Sequence, residues 1–328
     1  MEMRTISSED GDRALLEGCG LVASLRRDWL VLSGEDRLRF LNGLVTCDVR
    51  NLPLGTGRYG FFTGPKGRII ADTAIRGEKD ELLLDVPEGQ GEAIVAHMLK
   101  YRVADCVQAR VAEPMSDFVV AGPSAASFLE RVLGLQPPAT AWCHQSAGEV
   151  RISREDWIGV PSFRLYGSAR AVARVRSGLS AAGAVEVARG SIDLVRVERG
   201  RPLFGVDFDS DCFPQETGLE ERAVSYTKGC YLGQEVVARI HYRGGVNRQL
   251  RGLRGAIGDD LVVGEKVLRE DEAVGAITTA AYSPSVGAPI ALAILHRKAE
   301  PGAKLRLETG SPVTVVEVPF VVDAVRSN

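Results

Sequence analysis

The sequence predicts an α+β body over about residues 20–245, followed by a small β-barrel over residues 246–328. Up to Gly245, runs with strand-like alternation and runs with helical spacing follow one another. After Gly245 the chain consists of short Val, Ile and Leu runs separated by Gly and Pro, which is typical of a small barrel. A chain of 328 residues is long enough for two or three such domains.

The first half of the body begins with "DWLVLSG" at 28–34, which favours a strand, and continues with leucines at helical spacing. Residues 57–77 predict two strands joined by the turn Gly64-Pro65-Lys66-Gly67. Further along, "ELLLDVP" favours another strand and "GEAIVAHMLKYR" a helix. This order predicts a small sheet with helices packed on it.

The second half of the body opens with "DFVVAGPSAASFLERVLG" at 117–134, which predicts a strand, a Gly-Pro-Ser cap and a helix. Two more helices are expected in "SARAVARVRSGLSAAGA" and "SIDLVRVERG". In the barrel, "GAPIALAIL" and "SPVTVVEVPF" are the clearest strands. We see no internal repeat.

Net charge and cysteine content limit the classes of function that the sequence predicts. The net charge of -3 gives no overall attraction to nucleic acid. The six cysteines are scattered without a CxxC pair, which predicts a reducing compartment, and the four histidines show no ligand spacing with them, so no metal site is predicted. The first residues are polar, and no apolar run reaches the roughly 18 residues of a membrane helix. We therefore expect a soluble cytoplasmic protein.

One basic segment, Val236–Gly258, contains no acidic residue. Its first basic residues alternate along the chain, namely Arg239, His241 and Arg243. With the turn signal Gly244-Gly245, this pattern fits a two-stranded basic ribbon or a helix end leading into a strand. Two interpretations stay open: a solvated face that balances the acids of residues 207–221, or a docking surface for an anionic ligand tail, RNA or an acidic protein.

Cys230 lies between two glycines, Gly229 and Gly233, which leave the backbone open to a ligand or partner. Lys228 could lie near the sulfur and favour the thiolate, the form that acts as nucleophile or metal ligand. The alternative is a buried cysteine that only fills space. Its polar neighbours Lys228, Gln234 and Glu235 argue against that alternative.

Five stretches carry a resemblance to a known family. "WLVLSGEDRLRFLNGLVTCDV" at 29–49 resembles the opening of that family, where a strand leads to a helix that ends in a Thr-x-Asp-Val turn. "KGCYLGQE" at 228–235 resembles the signature of the YgfZ-type folate-binding proteins, K-G-C-[FY]-x-G-Q-E, at every position. "VRVERGRPLFGVDF" at 195–208 resembles the R-x-E-x-G-x-P block shared with the aminomethyltransferases of the glycine cleavage system, the T-proteins. "GPKGRIIAD" and "FPQETGLE" resemble the hairpin of the family and the block before the signature. The resemblance extends from about Leu21 to Phe320.

The resemblance implies a GcvT-like ring of three domains around a central folate site, with two interleaved subdomains in the body, the middle one at about 117–185. Trp29 would stack on the pterin and Glu198 would bind its amide edge. Arg239 and Arg243 would meet the glutamate tail of tetrahydrofolate. Cys230 and Lys228 would provide the chemistry, facing the same cavity, in a loop organised by Gly229, Tyr231, Gly233, Gln234 and Glu235. Two other tryptophans, Trp142 and Trp157, do not match the second site tryptophan of some members.

T-proteins carry paired aspartates in the hairpin block and lack the Lys-Gly-Cys signature, whereas this chain has Ala71-Asp72 and the full signature. The resemblance therefore implies a tetrahydrofolate-binding accessory factor for assembly or repair of iron–sulfur clusters in client enzymes, including tRNA-modifying enzymes. The alternative is a folate-dependent aminomethyltransferase of the T-protein type. An RNA-binding module is a weaker third hypothesis, because Tyr242 is the only aromatic residue among the arginines of the segment.

Overall fold

The computed structural model describes residues 8–321, which form two β-sheets with packed helices and a closed barrel. The first sheet is antiparallel and has the strand order β3-β4-β5-β2-β6. Its strands are β2 (Arg27–Ser33), β3 (Gly57–Thr63), β4 (Ile69–Gly77), β5 (Glu81–Pro87) and β6 (Gln108–Val111). The strands predicted at 28–34 and 57–77 and in "ELLLDVP" are thereby confirmed.

Both faces of this first sheet are buried, and alternate residues go to different neighbours. In β2, Leu30 and Leu32 belong to an apolar core shared with helices α2 (Arg37–Asn42) and α3 (Gly91–Lys100). Trp29 and Val31 point the other way and pack with Tyr166 of the second sheet. This follows from the period of two of a strand, which sends successive side chains to opposite faces. The face opposite the helices is therefore the one that meets the rest of the body.

The second sheet has six strands in the order β11-β1-β7-β10-β9-β8. Its first strand, β1, comes before the first sheet in the chain, so the two sheets are interleaved in sequence. The strands are β1 (Gly20–Ala23), β7 (Ser116–Ala121), β8 (His144–Ala147), β9 (Val150–Arg154), β10 (Ser162–Gly167) and β11 (Val185–Val187). Helices α4 (Ala125–Leu133) and α5 (Ala169–Ala181) cover one face, while α1 (Glu9–Leu16) and α6 (Arg189–Glu198) lie on the other. The domain boundaries themselves stay a prediction.

After α6 the chain forms irregular structure, a 3₁₀ turn at Pro214–Glu216 and the short helix α7 (Glu220–Ala223). It then enters helix α8 (Gln234–Arg243) and the barrel, whose six strands close in the order β12-β15-β14-β13-β16-β17. These strands are β12 (Arg248–Gly255), β13 (Lys266–Arg269), β14 (Glu272–Ser283), β15 (Ala288–His296), β16 (Lys304–Leu307) and β17 (Pro312–Val316). The predicted α+β class with a C-terminal barrel is confirmed.

The basic segment is not a two-stranded ribbon. Its first part, residues 236–243, is most of helix α8, which starts after Gly233 in the left-handed conformation (φ 83°) and stops at Gly244. The strand β12 follows, so the other expectation, a helix end leading into a strand, is confirmed. The alternation of basic residues misled the strand interpretation, because it covers only five residues, too few to separate a period of two from the end of a helix. Basic residues in the last turn also suit the negative end of the helix dipole.

Among residues 8–321, no helix is both long and apolar enough to cross a membrane.

Candidate functional site

A central cavity of about 390 Å³ lies where the two sheets and the segment after α6 meet. Its walls are aromatic and charged, with few neutral polar groups. The aromatic residues are Tyr59, Trp142 and Trp157, the acids are Asp72, Asp85, Glu155 and Asp156, and the arginines are Arg27, Arg164, Arg201 and Arg222. Aromatic side chains with a few charged groups form sites that bind and orient flat polar ligands.

Tyr59 and Trp142 form one wall, with ring centroids 5.7 Å apart and planes inclined by 19°. Trp142 adopts a left-handed backbone (φ 64°), which is strained for a bulky residue. The backbone N–H of Trp142 donates to the Arg154 carbonyl (2.8 Å), which ties this conformation to the second sheet. Strain of this kind persists only where the surroundings hold it, so the indole is fixed at the cavity wall.

Beneath the cavity lies a buried ion network centred on Asp85, which is 2% exposed. Arg27, Arg76 and Arg164 all contact its carboxylate, at 2.8 to 2.9 Å. Burial alone would raise the pKa of Asp85, but the three guanidinium groups lower it below its ordinary value. Glu155 joins the network through Arg76. The charged groups at the floor of the cavity are therefore already paired with one another, which holds them in place.

The hairpin block presents its aspartate, not its alanine, to the cavity. Asp72 lines the cavity, pairs with Arg27 (2.7 Å) and accepts a hydrogen bond from the Tyr59 hydroxyl (3.0 Å). Burial and the nearby Asp72 raise the pKa of Tyr59, so the phenol remains neutral and donates. Ala71 is fully buried in the apolar core on the opposite face of β4. An acid at position 71 would point away from the cavity, so Ala71 does not separate the two candidate functions.

Trp29 and Glu198 do not line the cavity. Trp29 is 4% exposed, stacks on Tyr166 with ring centroids 4.8 Å apart, and lies below the guanidinium groups of the ion network. Glu198 is 1% exposed and accepts a hydrogen bond from Ser283 of the barrel. Their role in binding a pterin stays a prediction that the shape of the cavity does not support. The tryptophans at the wall are Trp142 and Trp157, which the sequence comparison had left without a place.

Lys228 is buried and points away from Cys230. Its ammonium group donates to three backbone carbonyls, those of Asn42 (2.7 Å), Val45 (2.7 Å) and Cys47 (2.6 Å). Burial lowers its pKa to about 8, so the group is still mainly protonated at neutral pH and can donate all three hydrogen bonds. Lys228 therefore fastens the signature loop (residues 228–235) to the end of α2, and the expectation that it activates the thiol is not met by this geometry.

Cys230 is exposed and lines an outer groove of about 350 Å³. The groove shares no residue with the central cavity, and its other walls come from Arg39, Phe40, Gly43, Leu44, Tyr101, Asp105, Tyr231 and Leu232. The thiol therefore does not face the central cavity, and the expectation that the thiol and a folate share one cavity finds no support in this geometry. The thiol and the cavity are separate features, because α2 and the segment after it hold the signature loop on the outside of the body.

The remaining residues of the signature loop shape it. A side chain at Gly233 would lie 2.4 Å from the Gly64 carbonyl oxygen, so only glycine fits between the loop and the hairpin turn. The Gln234 side chain accepts from the Tyr231 N–H (3.3 Å), and Glu235 stands in the first turn of α8. At Gly229 a side chain would meet only the end of the exposed Arg50 side chain, which can move aside, so this position does not require glycine. These contacts present Cys230 at the surface.

The basic segment is partly balanced by the acids upstream. His241 lies 2.7 Å from Glu220, and Arg248 contacts Glu216 at 3.0 Å. Arg239 and Arg243 are exposed on α8, outside the central cavity, so the structure does not bring them to a ligand bound there. The interpretation as a solvated, balanced face fits His241 and Arg248.

Two arginines of the cavity, Arg201 and Arg222, were not among the predicted site residues. Arg201 follows Gly200 within the R-x-E-x-G-x-P block, and Arg222 lies in α7, just ahead of the signature loop. The position of Arg201 in a matched block was a signal, whereas Arg222 lies between two matched blocks. Nothing in the spacing showed that both would reach one cavity.

Comparison with known proteins agrees with this architecture. The GCVT N-terminal domain family matches residues 10–228, and the glycine cleavage T-protein C-terminal barrel domain family matches residues 248–321. The solved structure of the glycine cleavage system aminomethyltransferase T from Bartonella henselae superimposes with a TM-score of 0.85 at 20% identity, covering 95% of this chain and 89% of that one. At that identity the likeness shows the fold alone.

The similar curated proteins carry two different names. An aminomethyltransferase from Exiguobacterium sibiricum is 26% identical over 299 residues (88% of this chain, 81% of the relative), and one from Nostoc sp. is 28% identical over 306 residues (88% and 81%). The tRNA-modifying protein YgfZ from Colwellia psychrerythraea is 26% identical over 303 residues (89% and 90%). Because the N-terminal family alone matches more than half of the chain, this protein belongs to the glycine cleavage T-protein (GCVT) family.

Proposed function

We propose that this protein is a tetrahydrofolate-binding accessory factor that assists assembly or repair of iron–sulfur clusters in client enzymes, with Cys230 as its functional thiol. The observation that carries this proposal is the signature loop, which is complete in sequence and holds Cys230 exposed in an outer groove. The similarity to a protein named as tRNA-modifying supports tRNA-modifying enzymes among the clients. Under this proposal the chain would belong to the YgfZ-type branch of its family.

The central cavity supports a folate as the ligand. Its volume of about 390 Å³ lies within the range of small-molecule sites. Tyr59, Trp142 and Trp157 would contact the flat ring, and the Asp72 carboxylate would accept hydrogen bonds from its N–H groups. Bound tetrahydrofolate would supply a carrier for one-carbon groups. The ion network around Asp85 would hold these contacts in place.

Cys230 would act outside the cavity. A thiolate is a good ligand for iron, but a cluster needs several thiolates, and among residues 8–321 no group of three or more His, Cys, Asp or Glu side chains is placed to hold a metal ion. A cluster, as cargo, would therefore be shared between Cys230 and a client or assembly protein. The exposed outer groove gives such a partner access to the sulfur.

A folate-dependent aminomethyltransferase is the second candidate, and one observation favours it. Asp72 is an acid that lines the cavity, so the chain has a group that could act on a folate nitrogen. The test is transfer of the methylene carbon from an S-aminomethyl thiol donor to tetrahydrofolate, with release of ammonia and the free donor thiol. Such transfer by the purified protein, lost in Asp72→Asn, would favour this candidate over the accessory factor.

The folate half of the proposal is tested by calorimetric titration of the purified protein with tetrahydrofolate. We expect one binding site, and we expect Cys230→Ser to bind as the unaltered protein does, because the thiol lies outside the cavity. Absence of binding in the unaltered protein would remove folate from the proposal.

The thiol half is tested in cells that lack this protein. We expect Cys230→Ser to fail to restore the activity of iron–sulfur client enzymes. Cys106→Ser is the matched control, because Cys106 is the other exposed cysteine of the described chain, and it should restore activity fully. Full activity with Cys230→Ser would overturn the role of the thiol.

A further inference from the structure

We infer that Arg201 and Arg222 bind the carboxylates of the glutamate tail of the folate in the central cavity. This inference rests on the proposed function, since it concerns the same ligand. It replaces the expectation that Arg239 and Arg243 bind the tail, because those two side chains lie outside the cavity.

The four arginines of the cavity fall into two pairs. Arg27 and Arg164 belong to the buried ion network and are held by Asp72, Asp85 and other acids. Within residues 8–321, Arg201 and Arg222 form no ion pair with any carboxylate. The cavity therefore carries two guanidinium groups whose charge the described chain does not neutralise by direct contact.

The environment of this second pair makes the absence of an anionic partner energetically unfavourable. Arg201 is half-buried, and its Nε is buried without a hydrogen-bond partner. Burial, together with the neighbouring Arg222, lowers the pKa of Arg201 to about 10. The charge of Arg201 would therefore gain from an anion bound beside it.

The one acid that acts on both arginines, Asp156, does not fill this role. Asp156 also lines the cavity and acts on both arginines at a distance. Its carboxylate is already engaged by the Arg154 guanidinium (3.3 Å) and by the Ser162 N–H (3.0 Å). An anion from a ligand is therefore the better partner for the pair.

The position of the pair suits a flexible acidic tail. Arg222 is exposed, so it marks the open side of the cavity, while Arg201 reaches further in. The stem of Arg201 is packed against the backbone of Gly159, where a Cβ would lie 3.2 Å from its Cγ. Guanidinium groups bind carboxylates with two parallel hydrogen bonds, and a glutamate tail offers two carboxylates to two arginines.

The test is calorimetric titration of the full chain with two probes, tetrahydrofolate and 6-methyltetrahydropterin, which has the ring but no tail. We expect Arg201→Gln and Arg222→Gln each to weaken tetrahydrofolate binding by about tenfold or more, the loss typical of a charged hydrogen bond. Binding of the tail-less pterin should not change. Arg239→Gln is the matched control and should bind both probes as the unaltered protein does.

Each outcome has a distinct meaning. If both arginine variants bind tetrahydrofolate like the unaltered protein, the inference is wrong while the folate proposal stands. If they weaken both probes equally, the arginines contact the ring and the inference is also wrong. If neither probe binds the unaltered protein, the proposed function fails first. Because Arg222 is exposed, Arg222→Gln should fold normally, and thermal unfolding checks both variants.

Discussion

The central cavity and the outer groove around Cys230 are built in different ways. The cavity collects side chains from residues 24–85, 119–164 and 201–222, and it is lined by charges that are mostly paired. The thiol of the outer groove comes from one continuous loop, which a buried lysine fastens to the body. The proposed ligand binding and the proposed chemistry of the thiol can therefore be tested separately by mutation, although both sites belong to one fold.

The largest effect on stability is expected from Ala71→Asp, which tests whether residue 71 lies on the face of β4 that is turned away from the cavity. The new carboxylate would be buried in an apolar core without a partner, and we expect a loss of about 4 kcal/mol in the free energy of unfolding. Urea unfolding measures this. Ala141→Asp, at an exposed position of the cavity, should change stability by less than about 0.5 kcal/mol. If Ala71→Asp were as stable as the unaltered protein, position 71 would face solvent or the cavity instead.

A smaller but clear loss is expected from Lys228→Met, which tests the attachment of the loop. Three backbone carbonyls would lose their shared donor, and the expected cost is about 3 kcal/mol. Chemical denaturation reports the cost, while the folded protein should keep its affinity for tetrahydrofolate. Lys66→Met provides the control, because Lys66 is exposed in the hairpin turn. Unchanged stability in Lys228→Met would contradict the role of Lys228 in attaching the loop, and it would favour the earlier hypothesis that Lys228 acts on the Cys230 thiol.

The smallest effect on folding, but a selective one on binding, is expected from Trp142→Ala. The substitution removes the stacked wall and leaves a residue that is still strained at φ 64°, although less bulky. We expect tetrahydrofolate to bind about tenfold more weakly, a change of about 1.4 kcal/mol, as measured by calorimetry. Trp29→Phe is the comparison, since Trp29 lies below the cavity. A greater loss of affinity with Trp29→Phe would restore the original assignment.

Predictions from short sequence patterns were correct where the structure of a segment depends mainly on its own residues. The structure contains the hairpin predicted at 57–77 and the strand predicted at 28–34. It also contains the barrel that was predicted from the short apolar runs after Gly245. Each depends on the period of side-chain burial or on turn residues, both of which can be recognised in a short window. The basic segment was ambiguous for the same reason, because its alternation was too short to exclude the end of a helix.

The same distinction, between features recognised in a short stretch and features set by distant segments, applies to the predicted site residues. Cys230 was singled out from a contiguous motif, and the structure does expose its thiol. Trp29 and Glu198 were assigned by position in matched blocks, yet one is stacked beneath the ion network and the other faces the barrel. Trp142 had no matching position, but its backbone conformation and the Arg154 carbonyl bring it to the cavity wall.

The sequence alone was enough to recognise the family, the α+β body with its barrel, and the loop that carries Cys230, because these depend on contiguous motifs and local periodicity. Three findings required the folded chain: Lys228 binds carbonyls, Cys230 and the cavity are apart, and Arg201 and Arg222 line one cavity. The direction of a side chain and its neighbours from distant segments are set by packing between the sheets, which spacing along the chain does not encode.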